Sequence, residues 1–391
     1  SDVGGIAMAL TTNQQLEKIV PSKIPEMDEI FRSVEGCIMM TMGEPDFGMP
    51  ENVKEAAIAA IQSDQSHYSH SMGTGEAREA VAAFMKKRHG LDFNPETEII
   101  MTTGATEAIY SALFGILNPG EKVIVPSPYF PLYKQATTTA YGETIEVDTS
   151  ETGFLMTPEL LHQTMAENEN VKAIVLNFPS NPTGVTYTKE ELTALAEAIK
   201  QYEMFVISDE IYSELTYGVE HVSMAKLLPE QTILINGASK SFAMTGWRVG
   251  FIAAKKQWIP PIFKVHQTVV TTGVTVSYAA AAEAFRNSEA DIERMREAYE
   301  VRRNICLAAL QDAGFSVPEP KGAFYVFARI PEKFGTDDLT FCQILAKEAR
   351  VGMIPGSIFG PGGEGYVRMS FALATDLVTE AMRRVSMFVG K

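Results

Sequence analysis

Short apolar runs alternate with helical patterns between residues 51 and about 270. Over 51–63, Val53, Ala57, Ala60 and Ile61 fall on one helical face. A second helix is predicted over 106–117 and ends at the turn Asn118-Pro119-Gly120. The apolar runs 122–125, 173–176, 205–208 and 232–235 read as buried strands. Thr188 and Glu191 have the S/T-x-x-E spacing of a capping box, which predicts a helix from there to about 201. Strands separated by helices of this length require crossover connections, and crossovers give a largely parallel sheet.

After about residue 275 the pattern changes. Helices are predicted over 276–285 and 290–312, with a break near Asn287-Ser288. An apolar strand over 323–328, a helix over 337–349, a glycine-rich loop over 352–365, a strand over 366–371 and a last helix from about 375 follow. The expected organisation is α/β. An N-terminal arm (1–45) joins a small α+β domain (281–391), and a large domain (46–280) carries a mostly parallel sheet sandwiched by helices.

Composition narrows the function classes. With 46% hydrophobic and 21% charged residues, the 391-residue chain has ordinary globular usage. Its formal net charge is −16, which repels phosphate backbones and anionic lipid. No nucleic-acid or membrane partner is therefore expected. The three cysteines, Cys37, Cys306 and Cys342, are far apart and form no metal or disulfide spacing, as suits a reducing cytoplasm. The six histidines lack metal-ligand spacing, so no metal is expected. No apolar run is long enough for a transmembrane helix, and no signal peptide is visible. Ser1 to Ala7, ahead of Met8, are set aside as an expression scar.

Ligands in open α/β sheets sit outside the C-terminal ends of the strands. Asn177 follows one predicted strand, Asp209 follows another with Tyr212 three residues on, and Lys240 and Arg248 follow a third. Gly104-Ala105-Thr106 opens a helix directly after the apolar run 99–101. A carboxylate, an amine, a guanidinium and a helix N-terminus on one rim suit a ligand with a cationic ring nitrogen, an aldehyde and a phosphate. Pyridoxal 5'-phosphate has these groups. Asp209 would keep the ring nitrogen protonated, and Lys240 would react with the aldehyde. The Ala105 and Thr106 N–H groups with Arg248 would hold the phosphate. The flat ring of Phe130 could stack on the pyridine.

Nine strings in order over residues 20–391 carry a resemblance. They are Gly43-Glu44-Pro45-Asp46-Phe47, Tyr68 with Gly73, Gly104-Ala105-Thr106, Pro128-Tyr129-Phe130-Pro131, and the run 177–184 (NFPSNPTG). The others are Ser208-Asp209-Glu210-Ile211-Tyr212, the run 239–250 (SKSFAMTGWRVG), Pro355-Gly356-Ser357 and the run 366–371 (YVRMSF). Together they resemble the class I/II aminotransferases of pyridoxal-phosphate fold type I, the aspartate and aromatic aminotransferase-like enzymes. The resemblance implies that Lys240 carries the cofactor and later moves the Cα proton. It implies that Asp209 binds the ring nitrogen, and that Asn177 and Tyr212 hydrogen-bond the ring hydroxyl. Gly104, Ala105, Thr106, Ser239 and Arg248 would surround the phosphate, with Tyr68 reaching it from the partner of a homodimer with shared active sites. Phe130, or its neighbour Tyr129, would stack on the ring. Arg368 would fork onto the substrate α-carboxylate, helped by Asn177 and the Gly43 backbone. Relatives often carry serine three positions before the lysine; here that position is Gly237, so Ser239 is the substitute.

The implied activity is transfer of an amino group between an L-amino acid and a 2-oxo acid such as 2-oxoglutarate. Ile24, Tyr68 and Phe359 are expected in the pocket wall, which favours an aromatic or broad-range donor. The alternative is an N-acetyl-diaminopimelate or aspartate donor. A C–S lyase would use the same cofactor grip, but Met244-Thr245-Gly246-Trp247-Arg248 resembles the transaminases more closely. A non-enzymatic regulator would carry an added DNA-binding module, and the residues before Gly43 show no helix-turn-helix pattern.

Overall fold

The computed structural model describes residues 9–390, so the stretch Ser1 to Ala7 lies outside the described residues. Twelve strands are found among them. In chain order they are β1 (Ile38–Met39), β2 (Ile99–Thr103), β3 (Lys122–Ser127), β4 (Glu143–Asp148), β5 (Val171–Asn177) and β6 (Phe205–Asp209). They continue as β7 (Thr232–Gly237), β8 (Val249–Ala253), β9 (Tyr325–Arg329), β10 (Val351–Gly352), β11 (Ile354–Pro355) and β12 (Tyr366–Ser370).

Seven strands form one sheet in the order β2-β8-β7-β6-β5-β3-β4. All neighbours run parallel except β8, which is antiparallel to both β2 and β7. The parallel strands therefore end on one rim, and Thr103, Ser127, Asn177, Asp209 and Gly237 are brought to it. The register makes Asn177 the lateral partner of Asp209, and Asp209 the partner of Ile235. Ile174, Val206, Ile207, Ile233 and Ile235 are fully buried, as expected of strands covered on both faces. Helices α1 (Ile24–Arg32), α2 (Glu51–Gln62), α3 (Gly75–His89) and α4 (Gly104–Ile116) precede or begin the crossovers. The Thr188–Glu191 capping box is present in both directions.

A second layer of structure lies outside this sheet. Strands β11, β12 and β9 form a three-stranded antiparallel sheet, and β1 pairs in parallel with β10. Met27, Phe31, Ile38 and Met40 share one apolar cluster with residues running from Met295 to Val389. Helix Thr275–Asn287 instead buries Tyr278, Ala280, Ala281, Ala284 and Phe285 beside β8 and α3 residues. The expected boundary at 280/281 thus falls within a helix. The core changes within helix Glu289–Asp312, between Ile292 and Met295.

Helix α4 starts at the end of β2, beside the Val249–Gly250 start of its antiparallel neighbour β8, and this close approach leaves no space for a side chain at Gly250. A Cβ on Gly250 would lie 2.6 Å from both Ala105 N and Gly104 C. These are backbone atoms, so relief would require moving the helix start. Gly250→Ala is expected to destabilise the fold by about 1–3 kcal/mol, the usual cost of overpacking. Chemical denaturation of wild type and variant checks this; an unchanged midpoint would show that the helix start is free to shift.

Candidate active site

A cleft of about 430 Å³ opens over the strand rim. Its lining includes Gly43, Ala105, Thr106, Phe130, Asn177, Asp209, Tyr212, Ser239, Lys240, Arg248 and Arg368. These eleven come from distant parts of the chain and were all singled out in the sequence. Gly104 is adjacent, and Tyr68 lies elsewhere.

Asp209 ends β6 and is 4% exposed. Its carboxylate accepts a hydrogen bond from Tyr133 Oη at 2.6 Å and a weaker one from Ile211 N at 3.3 Å. Burial raises its pKa to about 6, against the lowering effect of the Tyr133 hydrogen bond. Lys240 follows β7 across a short turn. Burial lowers the pKa of its amine to about 8, Glu44 opposes that shift, and Arg368 and Arg248 add to it. The ammonium donates to the Gly43 carbonyl and lies 5.8 Å from the Tyr212 ring centre. Tyr212 Oη is 2.8 Å from Tyr325 Oη, and burial pushes the Tyr212 phenol well above its usual range. Asn177 donates from Nδ2 to the Asp209 carbonyl at 3.0 Å and accepts from Asn181 N at 2.9 Å.

One end of the cleft is suited to an anion. The first-turn N–H groups of α4, those of Gly104, Ala105 and Thr106, have no intrahelical acceptor. Arg248 lines the same end and adopts the left-handed backbone conformation at φ 55°. Gly104 has φ +74°, and a Cβ there would lie 2.4 Å from Arg248 Nη2. A side chain at 104 would fill the space between guanidinium and helix. Gly237 has a steric reason to lack the serine seen in relatives: a Cβ would lie 2.7 Å from the Val249 carbonyl oxygen. Ser239 lines the cleft and is free of that crowding.

Arg368 in β12 forms the other end. It is 3% exposed, donates to Asn181 Oδ1 at 2.9 Å and to the Thr41 carbonyl at 3.0 Å, and lies over the Tyr325 and Phe359 rings. Its Nε is buried without a partner among the described residues. An incoming carboxylate would satisfy that donor. Phe359, expected in the pocket wall, instead packs on the guanidinium and is absent from the cleft lining. The loop with Gly43 is fixed by Asp46, whose two oxygens accept from Arg302 Nη1 at 2.8 Å and Nη2 at 3.1 Å.

Of the two aromatic candidates, Phe130 lines the cleft, while Tyr129 donates its hydroxyl to Glu146 at 2.8 Å, away from it. Tyr68 is 87% exposed and absent from the cleft of its own chain. Tyr133, Asn181, Tyr325 and Arg302 were not anticipated. Tyr133 follows the Pro128–Pro131 string by two residues, which is the only local sign of it. The others act across long sequence separations.

The donor set fits pyridoxal phosphate. It offers a helix start and a guanidinium for the phosphate, a buried carboxylate for a cationic nitrogen, an amine of lowered pKa, and a spare guanidinium N–H. Asp209 also makes folding sensitive to pH. Its folded pKa of about 6 lies above the ordinary 3.8, so the folded chain retains this proton longer as pH rises. Stability from this group is complete below about pH 4 and is lost by about pH 6, on the order of 3 kcal/mol at roughly 1.4 kcal/mol per unit. In cofactor-free protein, Asp209→Asn is expected to remove that part of the pH dependence, and Tyr133→Phe to extend it to higher pH. Urea unfolding between pH 4 and 7 checks both; parallel wild-type and Asp209→Asn curves would contradict the burial argument.

The sequence model of the family described as Aminotransferase class I and II matches residues 35–385. A probable N-acetyl-LL-diaminopimelate aminotransferase of Bacillus subtilis is 42% identical over 97% of this chain and 96% of its own length. An aromatic-amino-acid aminotransferase of Thermococcus litoralis is 38% identical over 96% of this chain and 97% of its own. The structure of Thermus thermophilus aspartate aminotransferase with maleate superposes with a TM-score of 0.91 at 35% identity, covering 97% of this chain and 100% of that one. With this coverage added to the geometry of the cleft, the chain belongs to the class I and II aminotransferases.

Proposed function

We propose that this aminotransferase uses pyridoxal 5'-phosphate to move an amino group between an aromatic or broad range of L-amino acids and a 2-oxo acid such as 2-oxoglutarate. The observation that carries the reading is the convergence of Lys240, Asp209, Arg368, Arg248 and the α4 start on one cleft. When bound, the cofactor supplies an electron-poor ring that accepts the electron pair released at the substrate Cα. The Asp209 carboxylate would pair with the ring nitrogen and favour its protonated form. Asn177 and Tyr212 would hydrogen-bond the ring hydroxyl. Gly104 would leave room for the phosphate, which the Ala105 and Thr106 N–H groups, Ser239 and Arg248 would hold. Phe130 would cover the ring face. Arg368, with Asn177 and the Gly43 backbone, would take the α-carboxylate. Lys240 would hold the cofactor covalently and, once displaced by the amino acid, move the proton at Cα.

The cleft wall supports the donor preference: Ile24, Ile109 and Phe130 give it apolar surface. The N-acetyl-diaminopimelate or aspartate donor is the second reading, favoured by the name of the 42% identical relative. We also propose a homodimer with shared sites, in which the exposed Tyr68 of one subunit reaches the phosphate of the other. The arm 1–45 would form the small domain with the C-terminal part of the chain, the division shifting from the expected 280/281 to the core change between Ile292 and Met295, and the stretch from 46 up to it would be the cofactor-binding domain. Free Cys37, Cys306 and Cys342 support a cytoplasmic setting, and no helix among the described residues is long and apolar enough to cross a membrane.

A panel of amino acids mixed with cofactor-loaded protein tests the reading. Loss of the visible absorbance of the bound cofactor, with mass-spectrometric identification of the oxo acid, is expected first for aromatic donors. Lys240→Ala is expected to keep substrate binding and to lose at least roughly a hundredfold in turnover, the lower bound for a positioned proton-transfer group. Near-normal rates of Lys240→Ala without added amine would overturn it.

A further inference from the structure

Helix α1 contributes two residues to the cleft lining, and they are not both apolar. Ile24 and Asp28 are four residues apart, so they share one face of this helix. Both line the cleft, while Met27 and Phe31, on the adjoining face, are buried in the core. The remaining carboxylates of the lining have partners. Asp209 accepts from Tyr133, and Glu44 accepts from Thr245 Oγ1 at 2.9 Å. Asp28 differs: its Oδ1 is buried and has no hydrogen-bond partner among the described residues. A carboxylate oxygen shielded from water and left unpaired is costly, so it favours whichever ligand brings a donor to it.

The cations of the lining are Lys240, Arg248 and Arg368. In the reading above they serve the cofactor aldehyde, the phosphate and the substrate α-carboxylate, respectively. Among the lining residues of this chain, none is left to receive an acidic side chain beside Asp28. Asp28 also lies close enough to Arg368 for its charge to be felt there. The α-carboxylate end and Asp28 therefore belong to one substrate-sized space.

Resting on that reading of Arg368, we propose that Asp28 is a specificity-determining residue that selects amino acids whose side chain is apolar along its length and ends in a hydrogen-bond donor. Ile24 contacts the apolar part, and Asp28 accepts from the terminal O–H or N–H. Among aromatic donors this favours tyrosine over phenylalanine. A side chain ending in a carboxylate meets like charge and binds less well, so dicarboxylic substrates, the 2-oxoglutarate named above included, are still accepted but with a raised KM that this residue imposes.

The test uses cofactor-loaded wild type, Asp28→Asn and Asp28→Ala. Binding is read with unreactive acids that lack the amino group: 3-(4-hydroxyphenyl)propionate against 3-phenylpropionate, and glutarate monoamide against glutarate. Calorimetry gives Kd for each, and kcat/KM is measured for tyrosine, phenylalanine and glutamate. Wild type is expected to prefer the donor-bearing member of each pair by roughly tenfold, the low end for a hydrogen bond to a charged acceptor. Asp28→Ala is expected to reduce that ratio to about one, with a smaller loss in kcat/KM for phenylalanine than for tyrosine, and Asp28→Asn to lower KM for glutamate. Ratios that survive both substitutions overturn the proposal. A uniform change in the affinity of all four acids also overturns it, because an effect transmitted through Arg368 would act on the shared carboxylate. Failure of both aromatic acids to bind would sink the aromatic-donor reading separately, and the glutarate pair would still decide for or against Asp28.

Discussion

Asp209 places a carboxylate at the end of a strand whose neighbours are fully buried, and burial opposes its charge. The carboxylate is kept useful by what surrounds it: a 2.6 Å hydrogen bond from Tyr133, the Ile211 N–H, and the ammonium of Lys240 at the other side of the cleft. Those partners depend in turn on the parallel sheet. Only with β5, β6 and β7 running the same way do Asn177, Asp209 and the turn to Lys240 meet on one rim. The reversed strand β8 supplies the remaining geometry. It brings Gly250 against the start of α4 and sets Arg248 beside the free N–H groups of that helix.

The second constraint ties the C-terminal part of the chain to this rim. Arg368 reaches Asn181 in the loop after β5 and Thr41 near the N-terminus, so three separate stretches are joined by one guanidinium. Arg302 has the same function for the loop at Gly43, through a two-pronged contact with Asp46 and stacking on Phe47 at 5.0 Å. Both guanidinium groups are almost fully buried. For Arg302, removing Asp46 would leave a buried charge without its counter-ion, and for Arg368, whose partners are neutral, losing Asn181 or the Thr41 contact would leave buried N–H groups unpaired, so both sets of contacts fix the shape of the cleft.

Much of this was legible in the sequence, for local reasons. Apolar runs set the strands, the Thr188–Glu191 spacing set a helix start, and strand ends set Asn177, Asp209 and the α4 opening. Strand β8 was not legible, because residues 249–253 overlap the end of the motif string 239–250 and carry no turn signal of reversal. The break between the two cores was not legible either, since it falls within the continuous helix Glu289–Asp312. Tyr325, Arg302 and Asn181 gain their roles from contacts across 113, 256 and 187 residues. Periodicity carries no information over such distances. Phe359 failed for a related reason: an apolar residue near a site in sequence does not reveal whether it faces the ligand or backs a charged group.

The opposing shifts of Lys240 and Asp209 give the cleft a direction of response. An amine whose pKa is lowered to about 8 gives up its proton more readily than an ordinary lysine. Burial is the main cause of that lowering, and the two guanidinium groups add to it. Their contribution is not fixed. In the proposed reading, a phosphate beside Arg248 and a carboxylate on Arg368 would offset the positive field that Lys240 feels. An occupied cleft would then hold an amine more willing to accept a proton than the empty one. In the proposed reading Lys240 is freed as the amino acid replaces it, and by then the substrate carboxylate would sit on Arg368, so the rise would coincide with loss of the proton from the neighbouring carbon. Recognition of the α-carboxylate and basicity of the lysine would then be coupled through one buried arginine, without any moving part.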